Sequence, residues 1–249
     1  MSRRKAWVLA GFVWLLLLAG SFLVDRSVYL DVAGPVAEKT GFKPWRFGRP
    51  EGGRALLLLE ALLLLKRMGH FFFVLVVSGT MVALQRERWR QVLLLWLCVV
   101  GTAAVGQGFL KPTIAKVRPD GPVTAARAAE IIEAEGEDAV VRHDGEYRNT
   151  GRVEFRGLFA GYRGLSALTL PSGHSALAFA MAAVLVACFR RGRPWFFGLA
   201  CGVAVSRVLM GEHFLSDVIA GSFVGYACAS ALLAAPRLRR FARLTGPAS

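Results

Sequence analysis

Six apolar runs constrain this chain more than any other feature. They lie at roughly Ala6–Val24, His70–Leu84, Gln91–Leu110, His174–Phe189, Trp195–Leu209 and Phe214–Leu232. Several fall short of the ~20 residues that a helix needs to cross a bilayer core. Together they outweigh the length of 249 residues, which alone would suit one or two soluble domains. The hydrophobic share of 55% and the mean hydropathy of +0.46 exceed those of ordinary soluble domains. The expected fold is all-α: an integral membrane bundle of six transmembrane helices forming one domain over residues 1–249.

The run Ala55–Leu65 is broken by Glu60 and closed by Lys66-Arg67. It is too short to span alone. We read it as an interfacial or re-entrant helix leading into the second span. The rival is one long tilted span from Ala55 to Leu84, which would have to bury Glu60, Lys66 and Arg67.

The net charge is +14. Most of it sits in four segments: Arg3-Arg4-Lys5, Arg86–Arg90, Arg190–Arg193 and Arg237–Arg243. These lie before span one, between spans two and three, between spans four and five, and after span six. The positive-inside rule then puts both termini in the cytoplasm. The cations of the long segment Asp25–Arg67 weigh less, because long loops count little in that rule. Cations clustered at span ends suit anionic head groups, so no nucleic-acid partner is expected. The first run resembles a signal peptide, but its core is long and lacks a small-x-small exit, which favours an uncleaved anchor. Cys98, Cys188, Cys201 and Cys228 all fall in apolar runs, so neither a disulfide framework nor a cysteine metal site is expected.

The sequence has no internal repeat. Its one shift in composition is Asp120–Leu170, a polar external lobe between spans three and four. Within it, Thr124–Glu135 has helical character, with Ala125, Ala128, Ala129 and Ile132 on one side. Asp144-Gly145 reads as a hairpin turn. Two roles stay open for the lobe, substrate selection or a solvated surface loop.

Polar residues beside membrane spans are costly and mark function. Three groups stand out. Lys111 and Arg118-Pro119 follow span three; each cation can bind phosphate, and arginine offers a fork. Pro171-Ser172-Gly173-His174 opens span four. There Ser172 suits an N-cap, Gly173 allows close approach, and the free amides of a helix start attract anions. Ser206-Arg207 ends span five, His213 begins span six, and Asp217 follows four residues later. That spacing puts His213 and Asp217 on one helix face, where the carboxylate holds one ring nitrogen and frees the other. Charge topology puts all three groups on the outer face. His70 and His143 read as surface or interfacial residues.

The three groups resemble the signature of the type 2 phosphatidic acid phosphatase superfamily, in order and at full spacing over Lys111–Asp217. The resemblance implies that His213 is a nucleophile forming a phosphohistidine, oriented by Asp217. It implies that His174 protonates the leaving oxygen. It assigns Lys111, Arg118, Ser172, Gly173 and Arg207 to phosphate binding. With three cations present no metal or cofactor is expected, and the motifs lack the carboxylate clusters that hold magnesium.

The expected enzyme is a phosphatase acting on a lipid phosphate or pyrophosphate at the outer face of a bacterial cytoplasmic membrane. Its candidate substrates are undecaprenyl pyrophosphate, phosphatidylglycerol phosphate, phosphatidic acid and lipid A. Its partners are the substrate lipid and the bilayer; oligomeric state is not legible. The alternatives are a lipid phosphotransferase using the same site and a non-catalytic lipid-binding or translocating protein. A vanadate-dependent haloperoxidase shares this kind of anion pocket but is soluble as a rule.

Overall fold

Helices carry most of the chain, as its apolar runs require. The computed structural model describes residues 3–33, 35–36, 53–137, 140–143, 145–160 and 168–244. Helix α1 (Arg3–Val28) runs on through a wide turn at Tyr29–Ala33. It thus outlasts the apolar run that ends at Val24 and carries Asp25 into a buried position.

Helices α2 (Gly53–Met68) and α3 (Phe71–Leu84) meet at 71°. They are therefore two helices rather than one straight tilted rod. The break falls at Gly69, where a Cβ would lie 2.9 Å from the Cβ of His174. Glycine alone lets the corner close against that residue.

Helix α4 (Trp89–Ala103) passes through wide turns at Ala104–Leu110 into α5 (Lys111–Ile114). Helices α7 (Gly173–Cys188), α8 (Arg193–Leu209) and α9 (Leu215–Ala234) follow, then the short α10 (Pro236–Phe241). Three helical stretches among the described residues are long and apolar enough to cross a membrane: Ala10–Ala33, Arg86–Ile114 and Leu215–Ala234. The bent pair α2–α3 qualifies only when taken together, and α7 is apolar but shorter.

Helix α7 is the hub. It packs against α9, α8 and α4, while α1 covers α9 and α2 covers α8. Its buried face is rich in alanine: Ala176, Ala178, Ala180, Ala182 and Ala183. Opposite, Gly221 and Gly225 of α9 meet the backbone of Ser172 and Ala176 with no room for a Cβ. Small residues let helix backbones approach, and in lipid that close packing replaces the hydrophobic drive. The large side chains fill one end, with Val74, Leu94, Leu95, Val99, Val184 and Leu233 in one cluster.

The stretch between α5 and α7 departs from an all-α chain. It holds α6 (Ala125–Glu135) and a three-stranded antiparallel sheet. Strand β3 (Glu146–Asn149) lies between β1 (Pro122–Val123) and β2 (Val140–His143). Thr124 caps α6 by accepting from the Arg127 amide. The buried face of α6 is Ala128 and Ile131, with Ile132 only partly covered. The hairpin β2–β3 turns through Gly145 at φ +82°; Asp144 lies outside the described residues, as do residues 161–167. The sheet satisfies amides that a polar, strand-forming segment cannot place in a helix. Two isolated bridges, Lys116–Phe155 and Val117–Leu168, fasten this stretch beside the start of α7.

Candidate active site

The three polar groups converge where α5, α7, α8 and α9 meet. Lys111 is buried in the first turn of α5, with Nζ 3.2 Å from Gln107 Oε1. Arg118 follows the bridge region, and its Nε donates to the Leu168 carbonyl at 3.1 Å. That bond ties the first group to the segment entering the second.

Ser172 occupies the N-cap position of α7, but its side chain caps nothing. Its hydroxyl instead accepts from Ser175 Oγ at 3.2 Å, and its amide donates to the Asp217 carbonyl at 2.9 Å. Gly173 sits against the Gln107 amide, where a Cβ would collide. His174 Nε2 is buried without a hydrogen-bond partner among the described residues. The His174 ring meets His70 edge-on at 4.8 Å between centroids. His70 is exposed, so it is both a surface residue and a neighbour of this site.

Arg207 is 2% exposed near the end of α8. Its Nε and Nη1 have no partner among the described residues, and its Nη2 contacts Glu212. His213 and Asp217 are buried as well. They do not share a helix face. Helix α9 begins at Leu215, and the Asp217 side chain reaches back to accept the Phe214 amide at 2.7 Å. His213 therefore precedes the cap. Its Nδ1 is 3.6 Å from Asp217 Oδ2, too far for a hydrogen bond.

Thr169 closes that gap. Its hydroxyl lies 2.8 Å from His213 Nδ1 and donates to Asp217 Oδ2. A hydroxyl has one proton, and an ionised carboxylate can only accept. Thr169 must then accept from Nδ1–H. The tautomer follows: Nε2 carries no proton and keeps its lone pair. Burial first, then the charges of Arg207, Arg118, Lys111 and Lys116, hold the His213 pKa well below the ordinary imidazole value. The ring is neutral in a site ringed by cations.

The other oxygen of Asp217 faces Lys116 Nζ at 3.1 Å. That ammonium also reaches Asp25 Oδ2 at 2.7 Å and Ser216 Oγ at 2.6 Å, and all of these groups are fully buried. Asp25 accepts the Ser216 amide at 2.8 Å. A buried ionic network thus links α1, the bridge region and the N-terminus of α9. Thr169, Lys116 and Asp25 escaped sequence reasoning. Lys116 offered a signal, being a third cation between Lys111 and Arg118; Thr169 and Asp25 offered none. Among the described residues no group of three His, Cys, Asp or Glu side chains is placed to hold a metal ion.

Replacing Thr169 with valine keeps the shape and removes both hydrogen bonds. If His213 is the reacting group that the motifs imply, kcat should fall about 100-fold with KM little changed, the cost of misorienting such a group. Steady-state phosphate release on one lipid phosphate checks this; a KM effect alone would contradict it.

Comparison with known proteins agrees with the site's composition. The sequence model of the PAP2 superfamily matches residues 91–241. The chain belongs to that superfamily, as the three motifs implied. A 68-residue stretch is 41% identical to a lipid A 1-phosphatase of Rhizobium johnstonii. The match covers 27% of this chain and 28% of that protein, little more than a quarter of each. Among solved structures, a transmembrane PAP2-type phosphatidylglycerolphosphate phosphatase from Bacillus subtilis aligns over 87% of this chain and 94% of its own. The identity is 20% and the TM-score 0.45.

Proposed function

We propose that this protein is a lipid phosphatase that works without a metal, through a phosphohistidine on His213. One observation carries the reading. The Thr169 hydroxyl bonds both His213 and Asp217, which leaves a nucleophilic lone pair on Nε2 among fixed cations.

His213 Nε2 attacks phosphorus, forming an N–P bond as the bond to the leaving oxygen breaks. His174 gives that oxygen its proton. Water then attacks the phosphohistidine, His174 takes the proton back, and phosphate departs. A covalent intermediate splits the barrier, and phosphoryl transfer otherwise needs positioning and fixed positive charge. Lys111, Arg118 and Arg207 supply the charge, with the Ser172 hydroxyl and the Gly173 amide at the helix start.

The charge distribution supports six spans in a bacterial cytoplasmic membrane, both termini inside and the site facing outward. The relative with the lipid A name supports lipid A among the candidate substrates, beside undecaprenyl pyrophosphate, phosphatidylglycerol phosphate and phosphatidic acid. Phosphate release by the detergent-solubilised protein, measured on these four lipids with and without chelator, tests the proposal. We expect release from at least one lipid at a rate indifferent to chelator. Release from none, or loss on chelation, would overturn it. Label recovered on an acceptor lipid instead of in free phosphate would make the enzyme a transferase.

A further inference from the structure

Lys66 and Glu212 extend the site beyond its three motifs. Glu212 stands in the turn between α8 and α9, directly before His213, and is 8% exposed. Its carboxylate takes two cations. Oε1 accepts from Lys66 Nζ at 2.6 Å, and Oε2 contacts Arg207 Nη2. Lys66 comes from the last turn of α2, three residues before the Gly69 corner that rests on His174.

Arg207 sets one corner of its guanidinium on Glu212, and its buried Nε and Nη1 have no partner among the described residues. A long side chain with no anchor would lose its rotamer freedom only when phosphate binds, and that loss weakens binding. A carboxylate anchor removes the loss in advance. A bare carboxylate beside a phosphate seat would repel the anion. Lys66 and Arg207 together offset that charge and leave the trio net positive.

We propose that Glu212 is a positioning residue which fixes the Arg207 guanidinium with its remaining N–H groups available to the phosphate, and that Lys66 holds Glu212 in place. The bent pair α2–α3 is thereby coupled to phosphate affinity. This rests on the phosphatase reading of the site. The rival role for Lys66 is direct contact with phosphate.

A double-mutant cycle separates the two roles. Wild type, Lys66→Met, Glu212→Gln and the double variant are compared as full chains in detergent. Two readouts are taken: calorimetric binding of orthovanadate, a tetrahedral oxyanion, and kcat against KM for lipid phosphate release. Each single change is expected to weaken vanadate about 10-fold, the worth of one charge-assisted hydrogen bond. The double variant should bind no worse than Glu212→Gln alone. Unchanged vanadate affinity in both single variants would overturn the proposal. So would additive losses, which would put Lys66 on the phosphate itself. Should Glu212→Gln fail to fold, unchanged affinity in Lys66→Met still sinks the relay. Wild type that binds vanadate but releases no phosphate would count against the phosphatase reading and leave the relay testable by binding.

Discussion

Alanine at His213 is expected to lower phosphate release by about 10⁴-fold or more, the scale seen when a nucleophile is removed from a site that still binds its substrate. Vanadate binding should survive, because Lys111, Arg118 and Arg207 remain. On the proposed mechanism the same residue also sets the acid limit of activity. A nucleophilic His213 must be neutral, and its pKa is depressed by burial and by four nearby cations. As pH falls through about 6.5, an ordinary histidine takes up a proton and this one does not. The acid limb of kcat/KM should therefore lie clearly below that value. The unfolded chain does protonate His213 near its ordinary pKa, so stability should decline as pH drops below about 6.5. A pH–rate profile with an acid limb at the ordinary imidazole value would contradict the assignment.

Methionine at Lys116 is expected to cost about 3–5 kcal/mol of stability, the penalty for removing one partner of a buried ion pair. Asp25 and Asp217 are both 0% exposed and share that one ammonium. Without it, two carboxylates face each other across Ser216 with no countercharge. Adding Asp25→Asn should restore part of the loss, since the amide can still accept from the Ser216 backbone. Thermal unfolding in detergent of wild type, Lys116→Met and Lys116→Met/Asp25→Asn checks the series. An unchanged midpoint for Lys116→Met would mean that the network carries no stability. Recovery by the second change would show that the cost is uncompensated charge rather than lost packing.

Local chemistry was legible where neighbours in sequence decide it. Thr124 caps α6, and the turn at Gly145 joins β2 to β3, because caps and turns depend on a few adjacent residues. The motif residues Lys111, Ser172, Gly173, Arg207 and His213 also come together at the helix ends. The spacing of His213 and Asp217 implied a shared helix face and a carboxylate directly on the ring nitrogen, and the structure has neither. A step of four residues implies a shared face only inside a helix, and this helix starts at Leu215, after His213. Thr169 fills the space, and a lone threonine carries no periodic signal. Asp25 and Lys116 lie 91 residues apart and meet where α1 and the bridge region both pack on the start of α9. Lys66 and Glu212 are 146 apart and meet where α2 packs against α8. Long-range ion pairs of this kind leave no trace in composition or periodicity.

Trapping the covalent intermediate decides whether His213 is the nucleophile. Purified protein is mixed with a lipid phosphate labelled on phosphorus, quenched within one turnover, and digested. A phosphohistidine would place label on the peptide that holds His213, stable in base and lost in acid, with none in His213→Ala. Full turnover with no label on protein, or label on any other residue, would contradict it.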